Sequence, residues 1–141
     1  MSTTRTAQTH WEGNLAEGAG KVTLESSGIG TFDVSWASRA EDANGKTSPE
    51  ELIAAAHSSC FSMALSNGLA KAGTPATSLD TSAAVDFVPG TGITEIRLTV
   101  KGVVEGISSE DFVAAATAAK EGCPVSQALA AVPIKLEASL A

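Results

Sequence analysis

Polar and apolar residues alternate through Lys21-Val22-Thr23-Leu24-Glu25 and again through Thr31-Phe32-Asp33-Val34-Ser35-Trp36. A period of two predicts two half-buried strands, and Gly28 and Gly30 between them predict a hairpin. His10-Trp11-Glu12, ahead of Gly18 and Gly20, fits a short edge strand. A polar loop from Glu41 to Thr47 comes next, and at Ser48-Pro49-Glu50-Glu51 the pattern turns helical. Ser48 fits the N-cap, Pro49 the first helical position, and Glu51 closes a capping box. The helix is predicted to run to about Ala72 and to stop at Gly73, with Pro75 just beyond. Its faces carry Ala54, Ala55, Ala56, Ser58, Ser59 and Ala64. Side chains this small let other elements approach closely, so the helix is expected to lie centrally, covered on several sides.

Two further strands are predicted, Thr81 to Val88 and Ile93 to Val104, joined by the turn Pro89-Gly90-Thr91-Gly92. In the second, Ile96, Leu98 and Val100 share one face and Arg97, Thr99 and Lys101 the other. Ser108 caps a helix reaching about Glu121. Cys123-Pro124 opens a short helix to about Ala131, Pro133 ends it, and Ile134 to Ala138 is the last strand. The order β-β-β-α-β-β-α-α-β lacks regular βαβ alternation, which predicts an α+β fold with a largely antiparallel sheet. There is no internal repeat, and 141 residues suit one domain spanning 1–141.

Composition narrows the function classes. Apolar residues make up 43% of the chain and aromatic ones 4%, so Ala, Val, Leu and Ile must build the core. The net charge of −7, with nine Lys and Arg, leaves no basic patch for a phosphate backbone, and nucleic acid is not an expected partner. No charge falls between Glu51 and Lys71, but His57, four serines and Asn67 would be costly in lipid, so no membrane span is expected. The first residues hold no apolar signal-like run. Two cysteines in a reducing cytoplasm are more often free thiols than a structural bridge.

Those two cysteines are the chemical centre of the sequence. Cys60 lies inside the long helix, where the bland reading is a small buried hydrophobe. A cation nearby would make it a nucleophile, because the thiolate is the reactive form. His57, one turn earlier on the same face, and Arg39, just ahead of the helix, are the candidates. Cys123 precedes a proline-initiated helix, whose unpaired N–H groups favour a thiolate. Glu50 is either a dipole-stabilising carboxylate or, since Ser48 and Glu51 already make the cap, a bidentate holder of Arg39. Two Cys and two His without close ligand spacing do not make a zinc site, and no Cys-x-x-Cys supports a thioredoxin reading. Cys60 and His57 on one helix, with no oxyanion loop, make a poor hydrolase dyad. His57 reads best as a satisfied core residue.

The run from Ser48 to Leu65, SPEELIAAAHSSCFSMAL, resembles the helix of the OsmC/Ohr family of bacterial hydroperoxide-reducing peroxidases. Gly122-Cys123-Pro124-Val125-Ser126 is similar to that family's second cysteine motif. His10-Trp11-Glu12-Gly13 and His57 look like the OsmC branch. The likeness spans essentially the whole chain. It implies that Cys60 is the peroxidatic nucleophile and Cys123 the resolving thiol, with Arg39 the active-site arginine and Glu50 its carboxylate partner. It also implies an intertwined homodimer with the long helices buried at its centre, unrelated in fold to thioredoxin-like peroxiredoxins. The substrate would be an organic hydroperoxide, the co-substrate a dithiol reductant, and no metal or cofactor would be needed. Two other readings remain open: a non-enzymatic protein holding an apolar ligand, and a redox sensor that forms the disulfide without turnover.

Overall fold

The computed structural model describes residues 1–141. In chain order the elements are β1 (Gln8–Glu12), β2 (Ala19–Thr23), β3 (Thr31–Val34), α1 (Trp36–Ala40), α2 (Pro49–Lys71), β4 (Ala76–Val88), β5 (Gly92–Val104), α3 (Ser109–Gly122), α4 (Pro124–Ala128) and β6 (Ile134–Leu140). They form two compact units, Met1–Leu52 and Ile53–Ala141, and α2 runs through both.

The first unit is the antiparallel sheet β1-β2-β3 with α1 and the start of α2. Trp11 and Val34 flank Gly20 in register, and a Cβ at Gly20 would meet the Trp11 ring at 2.7 Å. The missing side chain is what lets the indole lie across the sheet. It also explains why β2 begins at Ala19, two residues before the alternation becomes visible at Lys21. Leu24 has left the strand: its carbonyl accepts from Gly28 and its N–H donates to Gly30, which closes the hairpin. Gly28 takes φ +68°, a conformation that favours glycine.

One helix was not anticipated. Ser35 and Trp36, expected to end a strand, are instead the N-cap and first residue of α1, and Arg39 lies on that helix rather than in a loop. Ser35 accepts from the Ser38 N–H while the Ser38 hydroxyl accepts from the Ser35 N–H, a capping box with Ser in the place usually held by Glu.

The second unit is a three-stranded sheet ordered β4-β5-β6. β4 pairs antiparallel with β5, and it starts at Ala76, five residues ahead of the expected Thr81. β6 pairs parallel to β5, so the sheet is mixed; the return through α3 and α4 is the long crossover that parallel pairing requires. On β5 the alternation holds: Ile96, Leu98 and Val100 are buried while Arg97, Thr99 and Lys101 are exposed. Leu98 and Val100 join Phe61, Leu65 and Leu69 of α2, Phe112, Ala116 and Ala119 of α3, and Cys123 in one core. The small faces of α2 do admit a neighbour: the Ser62 and Thr81 hydroxyls meet at 2.6 Å, and Thr81 also donates to the Ser58 carbonyl. α4 ends at Ala128 rather than Ala131. No helix is long and apolar enough to cross a membrane.

α2 is not covered on several sides within the chain. His57, Phe61, Leu65 and Leu69, four residues apart, form its buried stripe, and Ala55, Ala56, Ser59, Met63, Ser66, Asn67 and Ala70 are exposed. Met63 alone keeps 72% of its surface.

Candidate active site

In the first unit, hydrogen bonds fold the polar loop so that α1 faces the start of α2. The Ser38 hydroxyl donates to the Thr47 carbonyl at 3.0 Å, and the Thr47 N–H donates to the Asp33 carbonyl at 2.9 Å. Ser48 Oγ caps the Glu51 N–H at 3.1 Å. The reciprocal half of the expected box is absent, because the Glu51 carboxylate accepts from the Thr47 hydroxyl instead. Glu50 is left to its other role. Arg39 Nε donates to its Oε1 at 3.0 Å and Arg39 Nη2 to its Oε2 at 2.9 Å, a two-pronged pair with Glu50 only 7% exposed. Such a fork fixes the plane of the guanidinium as well as its position. Arg39 also borders a cavity of ≈ 390 Å³ whose apolar walls include Trp11, Leu15, Val22, Trp36 and Leu52.

In the second unit, α3 stops at Gly122, and Cys123 serves both as its C-cap and as N-cap of α4, with Pro124 at the first helical position. This junction carries Cys123 to Cys60: their sulfurs lie 2.9 Å apart across 63 residues of sequence and share a hydrogen bond. Both cysteines are free thiols, Cys123 fully buried and Cys60 partly exposed. Burial pushes the Cys60 thiol up, the adjoining Cys123 sulfur adds to this, and the Val125 N–H acts against both. Burial also acts to raise Cys123. The contact with Cys60 and the influence of Ser126 and the Val125 N–H outweigh it and leave Cys123 below its ordinary value.

His57 is a core residue, as the sequence reading had it, and not a cation beside Cys60. It is fully buried, burial lowers its pKa and keeps it neutral, and Nε2 lies 2.7 Å from Ser126 Oγ. It is satisfied on one side only, because Nδ1 has no partner. Of the sequence candidates, then, the fold joins Arg39 to Glu50 and Cys60 to Cys123. Ser126, Trp36 and Leu52 were not singled out beforehand; the one available hint was that Ser126 stands three residues after Cys123. No group of three or more His, Cys, Asp and Glu side chains is placed to hold a metal ion.

A paired-thiol junction on an α+β frame of this kind defines a protein class, and residues 41–137 match the family model described as OsmC-like protein, so the chain belongs to that family. It is 43% identical to peroxiredoxin OsmC of Escherichia coli (strain K12) over 134 residues, 93% of either chain. Among solved structures it is similar to the organic hydroperoxide resistance protein OhrB of Bacillus subtilis. The TM-score there is 0.69 at 25% identity, covering 95% of this chain and 98% of that one. An organic hydroperoxide resistance protein from Elizabethkingia anophelis shares the fold over the full length of both chains, with a TM-score of 0.72 at 23% identity.

Proposed function

We propose that the protein is a thiol-dependent peroxidase that reduces organic hydroperoxides. The observation that carries this reading is the meeting of Cys60 and Cys123 at 2.9 Å, the first reachable from solvent and the second enclosed. The names of the Escherichia coli and Bacillus subtilis relatives, a peroxiredoxin and an organic hydroperoxide resistance protein, favour the same chemistry.

Cys60, as thiolate, attacks the terminal oxygen of ROOH. The O–O bond breaks, the departing alkoxide takes a proton and leaves as alcohol, and Cys60 becomes a sulfenic acid. Cys123 then attacks the Cys60 sulfur, releasing water and forming the disulfide, which a dithiol reductant opens by exchange. Arg39, oriented by Glu50, stabilises the thiolate and the charge growing on the peroxide oxygens. The working unit is a homodimer in the reducing cytoplasm. A preference for alkyl hydroperoxides over hydrogen peroxide belongs to the same reading, since burying an alkyl chain is favourable. Of the apolar residues next to Cys60 in sequence, Phe61 belongs to the core and Met63 faces solvent.

The test is a count of free thiols before and after one equivalent of cumene hydroperoxide. The wild type is expected to lose both and Cys60→Ser to keep Cys123. Survival of both in the wild type would return the protein to the ligand-binding reading. A disulfide that no dithiol turns over would make it a sensor.

A further inference from the structure

Each thiol has a buried polar residue one helical turn away that takes no part in that mechanism. His57 precedes Cys60 by three residues on α2, and Ser126 of α4 follows Cys123, the N-cap of that helix, by three. His57 is fully buried and Ser126 is 6% exposed, and their side chains meet with Nε2 2.7 Å from Oγ. A closed ring results. It runs from Cys60 along one turn of α2 to His57, across that hydrogen bond to Ser126, back along the first turn of α4 to Cys123, and across 2.9 Å to Cys60. Stability alone does not account for the pair. His57 Nδ1 has no partner, and two apolar side chains of similar shape would avoid the cost of that unsatisfied atom.

The two thiols are held very differently. Cys60 lies within a 23-residue helix anchored in the core by Phe61, Leu65 and Leu69. Cys123 lies at a bend before a helix of five residues, a length that does not sustain itself without tertiary contacts. Its carbonyl accepts from the Gln127 N–H at 3.0 Å, so Cys123 moves with α4, and its own side chain makes no capping hydrogen bond. Val125 packs on the core, but apolar contacts tolerate sliding. The bond from Ser126 to His57 is the one side-chain hydrogen bond that α4 makes to another element, and it fixes both a length and a direction.

We propose that the His57–Ser126 hydrogen bond is a brace that holds α4 on α2 and so keeps Cys123 in place to close on the Cys60 sulfenic acid. The proposal rests on the peroxidase reading above. The sulfurs stand at 2.9 Å and a disulfide needs about 2.05 Å, so a small rotation of α4 decides whether they meet. In the closing step the Cys123 thiol gives up its proton, and its sulfur electron pair forms the S–S bond as the S–O bond of Cys60 breaks. The departing hydroxide takes up the proton and leaves as water; Cys123 is oxidised and the Cys60 sulfur reduced. His57 and Ser126 transfer nothing in this step. They are positioning residues, and they act on the resolving thiol because Cys60 already has its own helix to hold it.

Rapid mixing of the reduced protein with one equivalent of cumene hydroperoxide separates the two steps, with a dimedone trap reporting sulfenic acid and thiol loss reporting the disulfide. Ser126→Ala is expected to slow disulfide closure about tenfold or more relative to sulfenic acid formation, the usual effect of a small misplacement of a reacting atom. It also strands both nitrogens of His57, so Tm of the reduced protein should fall. His57→Leu/Ser126→Ala removes the stranded atoms and should recover much of that Tm while closure stays as slow as in Ser126→Ala. A pair that served stability alone would regain closure together with Tm. Equilibration with glutathione reads the same geometry without peroxide. There Ser126→Ala should shift the balance about tenfold toward the dithiol, a rise of about 30 mV in reduction potential. If closure in the double variant matches the wild type, the brace is overturned. A wild type that forms no sulfenic acid defeats the peroxidase reading instead, and the glutathione equilibrium then decides on the brace alone.

Discussion

Glu50 is the only carboxylate in the chain that is buried, and Arg39 is what makes its burial tolerable. Removing the arginine leaves a carboxylate in a site poor in water, a larger penalty than the pair's net worth. Arg39→Ala should therefore cost about 2 kcal/mol in urea unfolding, and Arg39→Ala/Glu50→Gln should recover most of it, since the double change removes the stranded charge. Arg39→Lys separates stability from chemistry. It keeps the charge but cannot make the parallel pair of N–H bonds, so kcat/KM for cumene hydroperoxide should fall about tenfold to a hundredfold with little change in unfolding. A loss below threefold would show that any nearby cation suffices. The sequence left Glu50 open between helix cap and clamp, and its fork with Arg39 decides for the clamp. The partnership of His57 with Ser126 was not legible. Neither residue type is unusual at its position, and the contact depends on how α4 meets α2, which no local pattern encodes.

Strand patterns disclose which residues face the core, but not the direction of the neighbour. β6 alternates as cleanly as an antiparallel strand would, yet it runs parallel to β5 and sets Lys135 directly beside Arg97. Glu95 and Asp86 resolve this clash of like charges: Glu95 bridges both cations at 2.7 Å and Asp86 grips Arg97 at 2.6 Å. The hydrogen bonds from Lys135 and Arg97 depress the Glu95 pKa, and that from Arg97 depresses Asp86. A depressed carboxylate contributes stability that is present above its unfolded pKa and is lost as pH falls through its folded one. Glu95→Gln should accordingly lower Tm at neutral pH, and the gap from wild type should close on acidification below about pH 4. A gap independent of pH would mean that the glutamate acts through packing. On the other face of β5, Gly102 lies under α3, where an added Cβ would come within 2.6 Å of the buried Phe112 ring. Gly102→Ala should cost about 1–3 kcal/mol, because that ring is enclosed and has nowhere to turn. The helix α1 was illegible for a simpler reason: five residues cannot show a period of 3.6.

The whole chain leaves one large question open on its own surface. A long helix without charge between Glu51 and Lys71 was expected to be enclosed, and within the chain only the stripe His57, Phe61, Leu65, Leu69 is. The opposite side presents Ala55, Ala56, Ser59 and Ala70 with Met63 standing free among them. A row of small residues with one flexible thioether is suited to close approach by a second helix, and the homodimer proposed above would bring the same face of a partner copy against it. The chain itself leaves that face open, contrary to the expectation of a helix covered on several sides. Met63→Glu tests the pairing at one position. In such a dimer it would bury two carboxylates, and each such burial costs several kcal/mol. Sedimentation at micromolar concentration should show the wild type near twice the chain mass and Met63→Glu near the chain mass itself. Peroxide turnover should fall along with dimer content, and both should return together when Met63→Leu restores an apolar side chain of similar size. A wild type that sediments as a monomer and still turns over cumene hydroperoxide would place the complete active site within one chain.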